Sequence, residues 1–138
     1  MRKAFLAALA LLALPSLAHA QAKVTMGLSH QLPPAHHIAK VVEVFAADVK
    51  ARTNGEVEVK VFGASQAHKP AENFPAVARG AIESAIVVNF QWGNTIPEMN
   101  VTVIPYFFTD LAKLKKFPGS DAAKILEAKM EAKGVKNI

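Results

Sequence analysis

An α/β fold, with a mostly parallel sheet flanked by helices, is the class this sequence predicts. Two short runs of strict alternation, a helical stripe between them, and clear turn punctuation carry the prediction. In the first run Val24, Met26 and Leu28 alternate with Lys23, Thr25 and Gly27, the period-2 pattern of a half-buried strand. Ser29-His30-Gln31-Leu32-Pro33-Pro34 follows as a loop, because consecutive prolines end a strand and set up a turn. Over residues 35–52 the apolar residues Ile38, Val41, Val42, Phe45 and Val49 recur at helical spacing. Thr53-Asn54-Gly55 then supplies a left-handed stop. In the second run Val57, Val59 and Val61 alternate with Glu56, Glu58 and Lys60. Strand, helix and strand in this order favour parallel pairing with right-handed crossovers.

The remaining elements extend the same theme. After a loop over residues 63–70, a short helix is expected at residues 72–79, with Pro75 in its first turn, where proline is tolerated. Residues 81–88 read as a buried third strand and residues 99–104 as a fourth. Residues 110–116 and 120–133 read as helices, the second begun by Ser120-Asp121 and ended by Gly134. Residues 135–138 look like the start of one more strand. There is no internal repeat and no low-complexity linker.

The length of 138 residues bounds the chain to one domain. Its first twenty residues read as an address. Arg2 and Lys3 form a positive start, residues 5–14 an apolar run, and Ala18-His19-Ala20 a small-x-small cleavage site. The run falls short of the roughly 20 residues that span a bilayer, and Pro15 interrupts it. A signal peptide at 1–20 and a mature chain at 21–138 are therefore expected. With no cysteine, neither disulfides nor a lipid-modified Cys after the signal is available, so the mature domain relies on its core. Removing Arg2 and Lys3 leaves 14 basic against 11 acidic residues. The lysines are scattered and lack the dense basic stripe with interleaved aromatics that nucleic-acid binding wants.

One segment of about thirty residues carries more information than the rest. It runs from Arg79-Gly80-Ala81-Ile82-Glu83, through an apolar run and Pro97-Glu98, to Ile104-Pro105-Tyr106-Phe107-Phe108. Its order and spacing resemble the solute-binding proteins of TRAP (tripartite ATP-independent periplasmic) transporters, the DctP family. The opening stretch from Lys23 to Phe62 is similar to that family's first strand, Pro/His loop, first helix, T-x-G stop and second strand. The resemblance implies a periplasmic-binding-protein-like (type II) α/β lobe. It also implies a full protein more than twice as long, with two lobes around a cleft. In such proteins the second lobe supplies an arginine that clamps the ligand carboxylate. Residues 21–138 are accordingly expected to be a first lobe, truncated before the second.

In open α/β sheets ligands sit beyond the carboxyl ends of the strands. That rule selects Ser29, His30 and Gln31 after the first strand, Ser65 and Gln66 after the second, and Asn89, Phe90, Gln91 and Trp92 after the third. It also selects Tyr106 after the expected fourth strand. The resemblance marks the same loops as one wall of a ligand cleft. Ser29 aligns with a position that often offers a polar side chain, and Asn89 lies one residue past another, occupied here by Val88. Gln66-Ala67-His68-Lys69 lacks the acidic residue usual in the family, which puts ligand contact from that loop in doubt. Bland readings stand beside these. Ser29 can cap a turn, Trp92 can pack as a lid, and Phe107 and Phe108 suit the core. Asn89 and Gln91 carry amides that need partners, which a carboxylate can supply. Arg79, at a helix C-terminus, complements the helix dipole rather than clamping an anion.

No Gly-x-Ser-x-Gly elbow, phosphate-binding glycine loop or His-Glu-x-x-His is present, so the sequence points away from an enzyme. His30, His36, His37 and His68 raise a metal reading. However, adjacent His36 and His37 on a helix would point about 100° apart, and neither cysteine nor a helical His-x-x-x-His accompanies them. The reading taken is a periplasmic binding component that carries a small organic acid anion to a TRAP membrane permease, with no metal and no cofactor. The alternative is a small stand-alone periplasmic metal carrier that uses the four histidines.

Overall fold

Residues 24–138 are described by the structure, a computed structural model; the expected signal peptide lies outside the described residues. Strand β1 spans Val24–His30, helix α1 His37–Arg52 and strand β2 Val57–Phe62. A 3₁₀ turn at Pro70–Glu72 leads into α2 at Asn73–Ala78, then β3 at Ser84–Ile86 and the short α3 at Asn89–Trp92. A second 3₁₀ helix at Pro97–Val103 precedes α4 at Leu111–Lys116 and α5 at Asp121–Glu131. The sheet has three parallel strands in the order β2-β1-β3, with Val24 opposite Val57 and Leu28 opposite both Val61 and Ser84. The expected α/β architecture is therefore present, with a smaller sheet than the sequence suggested.

The β1–α1–β2 unit forms one core. Leu28, Val42 and Val59 are buried together, with Met26, Ala46, Val49, Val61 and Ile86 packed against them. The inward stripe of α1 runs Ala39, Val42, Ala46, Val49, spacings of three and four that keep one helical face on the sheet. Two of those positions are alanines, so the helix can approach closely. The larger Val41 and Val44 face solvent. The expected stop is present: Thr53 ends α1, and its hydroxyl donates to Val49 O at 2.8 Å and accepts from Val57 N at 3.1 Å. One side chain thus closes the helix and starts the next strand.

A second core gathers Phe74, Ile96, Met99, Leu126, Met130 and Val135, with Trp92 against it. Here three expectations are corrected. The fourth strand expected at residues 99–104 is instead the 3₁₀ helix Pro97–Val103. Its one buried residue, Met99, lies three past the buried Ile96 at its N-cap, matching three residues per turn. Val103 and Ile104 are exposed, so alternate residues have no sheet to face.

The third strand shrinks from residues 81–88 to Ser84–Ile86. Its entry is made by side chains. The Gly27 N–H donates to Glu83 Oε2 at 2.7 Å, and Ser84 Oγ donates to Gly27 O at 3.0 Å. Glycine is needed there because a Cβ on Gly27 would lie 2.9 Å from Ile82 Cγ1. Residues 135–138 form no strand either. They line an open, mainly apolar groove of about 730 Å³ beside β3, together with Phe45, Phe74, Val77 and Ile82. Among the described residues no helix is long and apolar enough to cross a membrane.

Candidate functional site

The parallel register brings the carboxyl ends of β1, β2 and β3 to one end of the sheet, and the loops there converge. The Ser65 N–H donates to His30 O at 3.0 Å and the Ala64 N–H to Leu32 O at 3.1 Å, which pins the loop after β2 to the end of β1. Ala64 and Ser65 pay for this with φ of 50° and 62°, left-handed values that residues with a Cβ rarely adopt. Gln31 Oε1 accepts from Gln91 Nε2 at 2.7 Å, which ties the loop after β1 to the turn after β3.

Buried polar atoms concentrate at this end. Ser29 is 0% exposed and His30 2%, and among the described residues Ser29 Oγ, His30 Nδ1 and Gln91 Oε1 have no hydrogen-bond partner. A buried polar group without a partner costs on the order of 1–3 kcal/mol. Such groups in a native fold call for a reason. The His30 ring lies over Gly63, where a Cβ would come within 3.0 Å of Cε1, so glycine makes room for the imidazole. Strand alternation separates the two neighbours: His30 shares the α1 face with Leu28, and Ser29 the opposite face.

The other sequence candidates divide. Gln91 belongs to this loop cluster. Trp92 acts as a lid: its ring stacks obliquely on Phe74 at 4.8 Å and its Nε1–H donates to Val87 O at 3.2 Å. Asn89 and Gln66 are exposed at the same end. Tyr106 does not follow a strand; it lies in a turn with φ 62° and is 91% exposed. Of the sequence candidates Trp92 alone lines the apolar groove beside β3.

Two further residues bear on the site, of which Asn73 alone escaped the sequence reading. Gln31 is the partner of Gln91. Asn73 is 0% exposed with both amide atoms unpartnered, at the first position of α2. A polar residue beside the Phe74-Pro75 step was the available signal for it.

The four histidines do not form a metal centre. His36 stands at the N-cap of α1, where Nδ1 accepts the Ile38 N–H at 3.2 Å, and its ring stacks on His37 at 4.5 Å. Among the described residues no group of three or more His, Cys, Asp or Glu side chains is placed to hold a metal ion. The acidic residues of the thirty-residue segment have architectural partners: Glu83 with the Gly27 N–H, and Glu98 with Lys129 Nζ at 2.6 Å. The Lys129 hydrogen bond holds the Glu98 carboxyl below the usual carboxylate range.

The chain matches the family described as bacterial extracellular solute-binding protein, family 7 (DctP), over residues 28–138. It is 30% identical over 128 residues to the C4-dicarboxylate-binding periplasmic protein DctP of Rhodobacter capsulatus, covering 92% of this chain and 38% of that one. Among solved structures it resembles a TRAP periplasmic solute binding protein from Sulfurospirillum deleyianum with bound succinate. There the TM-score is 0.74 and the identity 30%, over 83% of this chain and 37% of that one. A TRAP periplasmic solute binding protein from Haemophilus influenzae with bound L-gulonate gives a TM-score of 0.70 and 28% identity, over 82% and 37%. The chain thus spans well under half the length of these relatives.

Proposed function

Because this chain belongs to the bacterial extracellular solute-binding proteins, family 7, we propose that it binds a small organic acid anion outside the cytoplasm and delivers it to the membrane permease of a TRAP-type uptake system. In this reading residues 1–20 are a cleaved signal peptide and residues 21–138 a first lobe, one wall of a cleft. The chain acts as a carrier rather than a catalyst. Ligands named for relatives, succinate and L-gulonate, set the chemical class.

The observation that carries the reading is the set of buried, unpartnered polar atoms at the carboxyl ends of β1 and β3: Ser29 Oγ, His30 Nδ1 and Gln91 Oε1. Ser29, His30 and Gln91 are assigned to the ligand wall, with Asn89 and Gln66 at its rim. Trp92 supports the wall from beneath, and Tyr106 is free to meet whatever covers its turn. A carboxylate accepts from the Ser29 hydroxyl and from His30 Nδ1 when that nitrogen carries the proton, and such charge-assisted bonds are about twice as strong as neutral ones; Gln91 Oε1, an acceptor, suits a hydroxyl of the ligand.

One wall leaves half the ligand in water. The experiment is calorimetric titration of the chain with succinate, gulonate and a panel of other organic acids, alongside the Ser29→Ala variant. Weak, millimolar-range binding that falls further in Ser29→Ala is the expected result, since each tenfold in affinity is about 1.4 kcal/mol. Micromolar binding by these residues alone would overturn the one-wall argument. Failure of every acid to bind would overturn the anion reading.

A further inference from the structure

We propose that Gln31 sets the ligand class of this wall by fixing the amide of Gln91, so that the chain selects acids bearing a hydroxyl close to the carboxylate over unsubstituted dicarboxylates. The inference rests on the binding function proposed above and names its substrate class; the clasp between the two amides is a property of the fold. Gln91 Nε2 donates to Gln31 Oε1 at 2.7 Å. That bond leaves over Gln91 Oε1, which is buried and has no hydrogen-bond partner among the described residues. With the nitrogen engaged, the atom held for a newcomer is an oxygen that only accepts.

An acceptor at that point discriminates between ligands. A carboxylate brought to Gln91 Oε1 sets oxygen against oxygen with no proton between them, so one unmet acceptor becomes two. A hydroxyl donates to the same atom and removes the cost of a buried group without a partner. Gln31 and Gln91 are half-buried, and Asn89 and Phe90 beside Gln91 are exposed, so the amide lies just beneath the surface of the loop cluster.

The carboxylate has its own place on the wall, at the Ser29 hydroxyl. Ser29 pairs with Ala85 and His30 with Ile86 across neighbouring parallel strands, which lie about 4.8 Å apart. Gln91 stands in α3, the turn that directly follows β3. The end of β1 and the Gln91 amide are therefore neighbours, tied together by the clasp itself. An acid with its hydroxyl one or two carbons from the carboxylate bridges a span of this size. Gln31 need not touch the ligand: it acts through the orientation it imposes on Gln91.

The test reads the clasp and the selectivity separately. In the ligand-free chain the Gln91 side-chain NH₂ should exchange with water about tenfold more slowly than that of the exposed Gln66. Succinate and malate, which differ by one hydroxyl, are then titrated against the wild-type chain, Gln31→Glu and Gln31→Lys, followed by amide NMR shifts. Malate should bind about tenfold more tightly than succinate in the wild type, the size of one buried acceptor satisfied rather than left unmet. Glutamate at position 31 only accepts, so it holds Gln91 in the same orientation and keeps the preference. Lysine there only donates, so it draws Gln91 Oε1 toward itself, presents Nε2 to the ligand, and abolishes or inverts the preference. The introduced charges act on both anions, which makes the malate-to-succinate ratio the quantity to read. A freely exchanging Gln91 amide, equal wild-type affinities, or one ratio shared by all three chains would each overturn the proposal. Those outcomes leave the anion reading standing, whereas binding of neither acid would remove both.

Discussion

Residues 24–62 and residues 81–116 both carry apolar runs, yet they fold by different rules. In the first stretch Leu28, Val42 and Val59 bury one another; β2 turns Val59 inward and Lys60 outward, while the central β1 is buried at each residue from Gly27 to His30. In the second, an apolar run yields only three strand residues, then a helical turn, then a 3₁₀ helix whose outer residues Val103 and Ile104 face solvent. All six residues of α4 are exposed, including Leu111 and Leu114. The difference is one of partners. A strand–helix–strand unit supplies its own neighbours, whereas a further strand must find an edge to pair with. β3 is reached through the side chains of Glu83 and Ser84, and among the described residues no strand pairs on its other side.

Substitutions can break or sharpen this contrast. The largest effect is expected at the junction between the two regions. Gly27→Val places methyl groups against Ile82 and Glu83, where even a Cβ would sit at 2.9 and 3.1 Å. Overpacking of this kind should cost about 1–3 kcal/mol or more, read as a lower urea midpoint. An unchanged midpoint would mean that the β3 side yields freely.

Next comes a matched pair of valine truncations. Val42, 4% exposed, sits in the first core, and Val103, 46% exposed, at the end of the 3₁₀ helix. Val42→Ala should lower stability by about 1–3 kcal/mol, while Val103→Ala stays within about 0.5 kcal/mol. Equal losses would show the second region to be as tightly packed as the first.

Ser29→Ala removes a hydroxyl that has no hydrogen-bond partner among the described residues. Stability by chemical denaturation should hold or rise by about 1 kcal/mol, because the buried desolvation cost goes with it. A clear loss of stability would mean that the hydroxyl is bonded in the fold rather than reserved for a ligand.

The smallest effect is expected at Glu98 and Lys129, both half-exposed, where solvent screens the pair. Lys129 lowers the Glu98 carboxyl, so the stabilisation is present above the ordinary carboxylate range and fades as pH falls through the lowered value. Glu98→Gln should flatten that acid-side dependence of thermal stability. A variant with the wild-type slope would assign the dependence to another carboxylate.

The convergence of the candidate loops was legible in the sequence. Parallel strands imply that ligand loops gather at their carboxyl ends, and Ser29, His30 and Gln91 are found there with buried polar atoms. Tyr106 was misplaced because its position depended on a fourth strand that has no partner among the described residues. Asn73 was missed for a related reason. It matters through complete burial, which is not a local property.

By itself, the sequence determined the elements whose stabilising contacts lie close along the chain: the alternating strands, α1 with its Thr53 stop, α5 with its Ser120 cap, and the order of the motif around Gly80 and Pro97. These depend on side-chain period and capping, which are set within a few residues. Only the tertiary structure decided which apolar runs became strands, that Glu83 and Glu98 serve the framework, and which polar atoms are sealed without partners. Those outcomes depend on edges and enclosure, and a strand or a buried amide acquires its meaning from atoms that the local sequence does not contain.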